Sequence, residues 1–187
     1  MMQIIKYNQQ QTANWSGGTT TPLFIFPVDA DYAKRDFLFR MSTATVETDS
    51  STFTDLTGYQ RIIMLLHGQL SITHNNEVTH YLKPLISYLF DGAWKTTAIG
   101  KVTDFNVMFK PEVKAHVDVV LLSANQSTQI LASTDFICLY LAKGKISIND
   151  NQQIINLTEK DFVVLDGELL NLDATAESII IKVTIQF

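Results

Sequence analysis

Short runs of alternating apolar and polar residues dominate this chain. β-branched and aromatic residues are concentrated in the runs, and residues typical of turns separate them. Alternation with a period of two predicts short strands that bury one face. Little helix is expected, because no stretch combines a sustained 3.6-residue apolar period with helix caps. The predicted strands are Phe37–Val46, Arg61–Leu66, Gln69–Thr73, Val78–Leu82, Leu85–Phe90, Phe105–Phe109, Val117–Leu122, Phe136–Leu141, Lys145–Ile148, Gln153–Leu157, Phe162–Leu165 and Ser178–Phe187.

An internal repeat lies within this series of strands. The segment 62–92 runs beside the segment 137–167, with an offset of 76 residues at the first glycine turn and of 75 after a slip near the hairpin. One antiparallel unit of strand, glycine turn, strand, hairpin and strand is therefore used twice. The aligned pairs include Gly68 with Gly144, Leu70 with Ile146, Ile72 with Ile148, Asn75 with Asn151, Leu82 with Leu157, and Asp91-Gly92 with Asp166-Gly167.

The repeat predicts an all-β, bicupin-like fold in which two antiparallel β-barrel or jelly-roll repeats form one compact unit. A β-sandwich of another topology is the alternative. We assign residues 1–117 to an N-terminal repeat that carries the pocket and residues 118–187 to a degenerate, structural C-terminal repeat.

The composition is that of a globular protein, with 46% hydrophobic and 18% charged residues in 187. The first eleven residues contain too short an apolar stretch for a signal peptide, and no later run could span a membrane. These features predict a soluble cytoplasmic protein without a membrane partner. The single cysteine, Cys138, lies in an apolar run and is expected to be a buried thiol, so a disulfide framework and a cysteine zinc site are excluded.

Charge and chemistry are distributed unevenly along the chain. The net charge is −5, and no basic stripe is present that would bind nucleic acid. Residues 1–117 contain ten basic and ten acidic side chains, whereas residues 118–187 contain four and nine. Every arginine, histidine and tryptophan also precedes residue 118. Polar chemistry is therefore expected in the N-terminal repeat.

The histidines do not match a metal site. Cupin metal sites need His-x-His and a Glu on one strand and a further His on a later strand, so that the ligands converge. Here His67, His74 and His80 are separated by seven and six residues. We predict that the protein uses no metal and no other cofactor. His67 alone lies at a strand end, where it could face the mouth of the barrel.

Alternation assigns several polar side chains to interior faces. Arg40 and Ser42 share a strand face with aliphatic residues, and Asp104 and Asn106 share a face of another strand. A buried guanidinium needs an anion, because it cannot be deprotonated. Either a protein carboxylate supplies that anion, with Asp104 neutralising Arg40 or Arg61, or a bound ligand supplies it. Near the N-terminus, Trp15 precedes Gly17, Gly18, Thr19 and Thr20, whose backbone N–H groups could approach an anion closely.

These segments resemble the HutD/Ves family. The resemblance rests on WSGGTTT at 15–21, FLFRMSTATVE at 37–47, the segment 51–68, FDG at 90–92 and GKVTDFNVM at 100–108, in order and spacing over residues 15–110. It implies a bicupin fold and a small-molecule binding or regulatory role linked to histidine utilisation or stress responses, without established catalysis. The chain departs from the family where Ser16 and Gly17 follow Trp15, and where Phe109-Lys110 replaces an arginine.

We therefore expect a metal-free module that holds a small polar or anionic metabolite. A metal-free isomerase or hydrolase with Asp104 or His67 as its base is one alternative, and a structural or partner-binding protein is another. The sequence leaves a homodimer open. The predicted ligand-binding residues are Trp15, Gly17, Gly18, Thr19, Thr20, Arg40, Ser42, Arg61, Asp104 and Asn106.

Overall fold

The computed structural model describes residues 2–130, 134–149, 154–165 and 170–187, and over these ranges the chain is antiparallel β structure with one 3₁₀ turn at Tyr7–Gln9. The predicted all-β class is confirmed. No helix in the described ranges is long and apolar enough to cross a membrane. The strands are β1 (Met2–Ile5), β2 (Ala13–Trp15), β3 (Gly18–Phe26), β4 (Phe39–Val46), β5 (Ser50–Thr52), β6 (Gln60–Gly68), β7 (Leu70–His74), β8 (Val78–Leu82), β9 (Ser87–Asp91), β10 (Thr96–Ile99), β11 (Val102–Phe109), β12 (Lys114–Leu122), β13 (Ser127–Ile130), β14 (Phe136–Lys143), β15 (Lys145–Asn149), β16 (Ile154–Thr158), β17 (Phe162–Leu165), β18 (Leu170–Ala174) and β19 (Ser178–Gln186).

The chain divides into two compact units, and the division differs from the predicted 1–117 and 118–187. The N-terminal unit is Gln11–Val113, whereas Met1–Gln10 and Lys114–Phe187 form the C-terminal unit. The first residues belong to the C-terminal unit because β1 pairs with β17. The C-terminal unit also begins before residue 118, so it includes His116 on β12, whereas residues 118–187 contain no histidine.

Both units have the same strand order. The N-terminal unit has a sheet in the order β2-β3-β4-β11-β6-β9 and a second sheet in the order β5-β10-β7-β8. The C-terminal unit has sheets in the orders β1-β17-β14-β19-β12 and β13-β18-β15-β16. Adding eight to each strand number turns the order β4-β11-β6-β9 of the N-terminal unit into the order β12-β19-β14-β17 of the C-terminal unit. The same addition turns β5-β10-β7-β8 into β13-β18-β15-β16. Apart from the added strands β1, β2 and β3, the two units are therefore copies of one topology.

Local geometry repeats as well. Gly68 and Gly144 have φ of 90° and 97°, and a Cβ on either would lie within 2.5 Å of neighbouring atoms. Glycine is therefore required at both turns. Each unit also has a register shift just before this glycine, in the pairing of β6 with β11 and of β14 with β19. The aligned residues Asn151, Asp166 and Gly167 lie outside the described ranges.

The interiors of the two units differ in chemistry. Leu65 pairs with Asp104 in the N-terminal unit, and the equivalent Leu141 pairs with Ile180 in the C-terminal unit. The repeat likewise puts Ile137 where the N-terminal unit has Arg61. Ile137 and Ile180 belong to a buried aliphatic core, which also includes residues from β15, β17 and β18. The C-terminal unit thus has aliphatic side chains at the positions of Arg61 and Asp104.

The cysteine lies where its apolar surroundings predicted. Cys138 is fully buried, and burial raises the pKa of its thiol. A thiol that remains protonated at physiological pH is a weak nucleophile. Cys138 therefore serves as a small apolar core residue, and the prediction of a buried thiol is confirmed.

Candidate functional site

A cavity of about 300 Å³ lies between the two sheets of the N-terminal unit. Strands β4, β6 and β11 of the larger sheet form one wall, and β5 with the loop that follows it contributes to the other. The lining combines charged, hydroxyl and aromatic groups, which is typical of a site that orients a small polar ligand. The lining residues are Trp15, Thr20, Tyr32, Arg40, Ser42, Ala44, Val46, Ser51, Thr52, Phe53, Thr54, Arg61, Asp104, Asn106 and Met108.

Alternation along neighbouring strands brings the polar residues together. On β4 the inward face presents Arg40 and Ser42, and on β11 it presents Asp104 and Asn106. These strands are hydrogen-bonded neighbours, with Ser42 paired to Asn106, so they do not face each other across the cavity. Paired residues such as Ser42 and Asn106 have Cβ atoms only about 5 Å apart. Arg40 donates to Ser42 and Asn106 donates to Asp104, so the four side chains form one polar patch.

Arg40 is buried and only partly satisfied. Its side chain is 6% exposed, and Nη1 donates a hydrogen bond of 2.9 Å to Ser42 Oγ. The guanidinium carbon lies 4.6 Å from the ring centroid of Tyr32, which is within the range of a cation–π contact. Burial lowers the pKa of Arg40 because the charged form is desolvated. These contacts are neutral, so none of them compensates the charge.

Arg61 is buried to the same extent and has an unsatisfied donor. Its Nη1 donates to the Thr54 carbonyl at 3.3 Å, and its guanidinium carbon lies 4.9 Å from the Phe53 ring and 5.2 Å from the Phe90 ring. Arg61 Nε is buried without a hydrogen-bond partner. Burial lowers the pKa of Arg61 to about 10, so the side chain still carries its charge at neutral pH.

Asp104 is the acidic group of the cavity, yet it forms no ion pair with either arginine. Among the described residues, no carboxylate oxygen lies within 4.0 Å of the Arg40 or Arg61 nitrogens. Asp104 instead accepts a hydrogen bond from Asn106 Nδ2. Burial raises the pKa of Asp104 to about 7, although this hydrogen bond and the charge of Arg61 both act to lower it. Both the protonated and the ionised form of the Asp104 carboxyl group are therefore populated near neutral pH.

The glycine segment does not form the predicted anion-binding loop. Trp15 and Thr20 line the cavity, but Gly17, Gly18 and Thr19 do not. Gly18 and Thr19 belong to β3 and pair with β4, so their backbone lies in a β ladder. A Cβ on Gly17 would lie 2.1 Å from the Trp15 ring, and one on Gly18 would lie 1.9 Å from the Thr45 carbonyl oxygen. The glycines therefore allow close packing of Trp15 and the β2–β3 hairpin.

Trp15 stands at the mouth of the cavity. Its side chain is 40% exposed and also borders an outer groove lined by Ser50, Ser51, Thr52, Thr54 and Thr97. The groove and the cavity share Trp15, Ser51, Thr52 and Thr54. A ligand can therefore enter past an aromatic ring and a set of hydroxyl groups before it reaches the arginines.

The histidines do not contribute to the cavity. His67 is exposed and does not line it, so the expectation that His67 faces the barrel mouth as a catalytic base is wrong. His74 is buried at the end of β7, with Nδ1 2.9 Å from Thr96 Oγ1 and Nε2 3.1 Å from Tyr88 Oη. Because Thr96 donates its own proton to the Trp94 carbonyl, His74 is the neutral Nδ1–H tautomer, which accepts from Tyr88.

No group of three or more His, Cys, Asp or Glu side chains in the described ranges is arranged to hold a metal ion. The prediction that the protein is metal-free stays a prediction, which elemental analysis of the purified protein can test.

Several lining residues escaped the sequence prediction. Met108, Ala44 and Val46 share strand faces with predicted residues, so alternation could have included them. Tyr32 and Phe53 could not have been found in this way, because Tyr32 lies in the loop between β3 and β4 and Phe53 follows β5. No sequence periodicity connects such positions to the cavity.

Comparisons with known proteins give one family match and several similar chains. A family model described as HutD matches residues 7–181. An uncharacterised 21.2 kDa protein in the hutC 3′ region of Pseudomonas putida is 24% identical over 153 residues, which is 78% of each chain. A conserved protein of unknown function, PA5104 from Pseudomonas aeruginosa PAO1, matches over the whole of both chains with a TM-score of 0.84 at 20% identity. HutD from Pseudomonas fluorescens SBW25 matches with a TM-score of 0.76 at 20% identity, over 100% of this chain and 98% of that one.

Proposed function

This chain belongs to the HutD family, and we propose that its N-terminal unit binds a small anionic metabolite in the cavity between its sheets. The resemblance predicted from the sequence is thereby confirmed at the level of the family. The observation that carries the proposal is the pair of buried guanidinium groups, Arg40 and Arg61, which have no carboxylate within 4.0 Å among the described residues.

The energetics of burial support an external anion. An unpaired buried charge costs several kcal/mol even after relaxation of the protein, and neutral hydrogen bonds recover only about 1 kcal/mol each. Arg61 also has an orphaned Nε–H. A carboxylate or phosphate between the two arginines would accept from several N–H donors at once, since guanidinium groups match such anions bidentately. Binding of such an anion would therefore offset the free-energy cost of burying the two guanidinium charges.

Asp104 and Asn106 extend the recognition surface beside the arginines. With a pKa of about 7, Asp104 can present either a donor or an acceptor near neutral pH, and Asn106 offers both through its amide. A ligand that carries a hydroxyl, amide or second acidic group next to its anionic group fits this pattern. A cavity of about 300 Å³ lies at the lower end of the range for ligand sites, so the ligand is a small metabolite.

A thermal-unfolding screen at pH 7 tests the proposal. The panel should contain small carboxylates, phosphates and neutral sugars, and it should include urocanate and formylglutamate because the P. putida relative is located beside hutC. A binding acid at about 100 times its Kd stabilises by about 2.7 kcal/mol, or roughly 5–10 °C in Tm for a chain of this size. Neutral sugars should have no effect.

Matched variants identify the site. Arg40→Met should abolish the shift caused by the best acid of the panel. Arg35→Met is the control, because Arg35 is the third arginine of the chain and lies outside the cavity lining. A shift that survives in Arg40→Met, or is lost equally in Arg35→Met, would locate the ligand elsewhere. A panel that gives no shift would favour a structural or partner-binding role.

A second candidate function is proton-transfer catalysis in the same cavity. A buried carboxyl group with a pKa near 7 is suited to general acid–base chemistry, and Asp104 is such a group in a cavity that also contains Arg61. This favours a metal-free isomerase or hydrolase as the alternative. Acids that stabilise the protein should be tested for turnover, with Asp104→Asn as the inactive comparison. Binding without turnover leaves the binding module as the function.

A further inference from the structure

The clearest difference between the two copies of the repeat is at one sheet edge. In the C-terminal unit, β1 pairs with β17 and covers the edge of its sheet. In the N-terminal unit, the equivalent strand is β9, which is the last strand of its sheet and has no covering strand in the described part of the chain. Uncovered edges present unpaired backbone groups that can accept a further strand.

Backbone geometry establishes which residues are equivalent at this edge. Leu85 and Lys160 both have positive φ, of 64° and 71°. The amide of Leu85 donates to the Leu65 carbonyl at 2.8 Å, and the amide of Lys160 donates to the Leu141 carbonyl at 2.7 Å. The next residues therefore correspond, so that Ile86 matches Asp161, Ser87 matches Phe162 and Tyr88 matches Val163.

The N-terminal arm, which we define as residues 2–10, shows how such an edge is covered. Ile4 pairs with Val163 and Ile5 with Phe162, and Met2 and Ile4 pack against the aliphatic core of the C-terminal unit. Beyond the strand, the arm continues along the surface, where Lys6 Nζ lies 3.0 Å from Asp161 Oδ2. One extended segment thus covers the sheet edge and then contacts the residue that corresponds to Ile86.

The equivalent region of the N-terminal unit is an open groove. We call it the β8–β9 groove, and it is lined by His80, Tyr81, Leu82, Lys83, Ile86, Ser87 and Tyr88. Apolar side chains around it are strongly exposed, with Tyr81 at 80%, Ile86 at 61% and Leu89 at 57%. By contrast, the β12 edge of the larger C-terminal sheet carries Lys114, His116 and Asp118, and such charges protect edges from pairing.

We propose that the β8–β9 groove binds an extended segment of a partner protein, which adds to β9 as a strand in the way that β1 adds to β17. Main-chain hydrogen bonds would provide affinity, and alternate apolar side chains would pack on the groove. Charge further specifies the segment. In the C-terminal unit, Lys6 of the arm contacts Asp161. At the equivalent place the β8–β9 groove has Ile86, with Lys83 at the position of Thr158. The partner segment should therefore carry an acidic residue where the arm carries Lys6.

A second copy of this chain fits the groove less well. The β9 strands of two copies could pair edge to edge. Each β9 is bounded by turns, however, one at Pro84-Leu85 and one closed by the Asp91–Trp94 hydrogen bond. A β9 strand therefore cannot continue along the groove as the arm does. Five paired residues also bury far less than the roughly 800 Å² per partner of a stable interface.

Nuclear magnetic resonance titration of the full-length chain tests the proposal. The probes are two peptides, one with the arm sequence of residues 2–10 and one with Lys6→Glu in that sequence. The Lys6→Glu peptide should shift the amide resonances of Ser87–Asp91 saturably and bind about threefold more tightly than the arm sequence, because an exposed charge pair contributes modestly. Lys83→Glu in the protein should reverse the order of the two peptides.

Leu89→Lys and Ile86→Lys should each weaken binding of the Lys6→Glu peptide about tenfold. Leu121→Lys is the matched control, because Leu121 is 63% exposed on the β12 edge, and it should bind normally. Preserved dispersion of the protein spectrum shows that each variant is folded. The proposal fails if millimolar peptide leaves Ser87–Asp91 unshifted, if Lys83→Glu does not change the preference, if the shifts lie on β17, or if the free protein is a dimer that buries β9.

Discussion

Asp104 allows the most direct test of whether the cavity arginines are paired inside the protein. In the structure this carboxyl group is buried, accepts from Asn106 and has a pKa raised from 3.8 to about 7. We consider the substitution Asp104→Asn, which resembles the protonated carboxyl group in shape and can still accept the Asn106 hydrogen bond. The comparison therefore isolates the cost of ionising Asp104.

The sign of the effect follows from proton linkage. Between pH 3.8 and about 7 the folded state binds more protons at this site than the unfolded state, so its contribution to the free energy of unfolding decreases as pH rises. A pKa raised from 3.8 to about 7 corresponds to roughly 4 kcal/mol at most. Wild type and Asp104→Asn should thus be similar near pH 4, and the wild type should become less stable than the variant by up to that amount at pH 8.

Urea unfolding followed by tryptophan fluorescence suits this measurement, because Trp15 and Trp94 both belong to the N-terminal unit. The quantity of interest is the difference in unfolding free energy between wild type and variant across pH 4–8, in which other titrating groups cancel. Asp49→Asn is the control, since the Asp49 side chain is 93% exposed, and its difference should stay nearly constant. A wild type that gains stability over Asp104→Asn as pH rises would show that ionised Asp104 pairs with an arginine, which would refute the unpaired site.

Three further predictions concern other parts of the chain. Arg61→Met should leave the ligand-free protein as stable as wild type or stabilise it by up to about 3 kcal/mol in urea unfolding at pH 7, whereas a loss of several kcal/mol would reveal an internal counter-ion. Burial, with a smaller contribution from His80, lowers the pKa of His74. The stability that neutral His74 contributes is therefore present above pH 6.5 and decreases as pH falls below that value. His74→Gln should therefore lose the acid-side decrease in thermal stability, and an unchanged pH profile would contradict this. Asp161→Asn should cost about 1–3 kcal/mol, because Asp161 accepts from Lys6 Nζ and from the Tyr7 amide, and hydrogen exchange of β1 should become faster while that of β4 should not change.

Much of the fold could be predicted because strand patterning is local. Period-two alternation identified strands such as β4, β6, β11 and β19, and self-alignment revealed that one unit occurs twice. The patterning failed for β3, where a run of threonines, a proline and consecutive apolar residues hides the alternation. It also gave no sign that residues 1–10 belong to the C-terminal unit, since strand pairing between distant segments is not encoded in the spacing within either one.

Part of the candidate site could be predicted for the same reason. Alternation assigned Arg40 and Ser42 to one face, and Asp104 and Asn106 to another, before any strand order was known. The interpretation of Gly18 and Thr19 as an anion loop was wrong, because flexible residues next to hydroxyls are compatible with an anion loop and with a tight hairpin. Only the pairing of β3 with β4 distinguishes these structures.

The sequence by itself determined which side chains alternate to the interior and that the topology repeats, because both properties depend on residue order along one strand or one unit. Tertiary structure alone decided that Tyr32 and Phe53 meet the arginines, and that Arg61 Nε has no partner. It alone decided that burial outweighs a nearby cation in raising the pKa of Asp104. These outcomes depend on distances and solvent exclusion between segments far apart in the chain, and such quantities exist only once the sheets have packed.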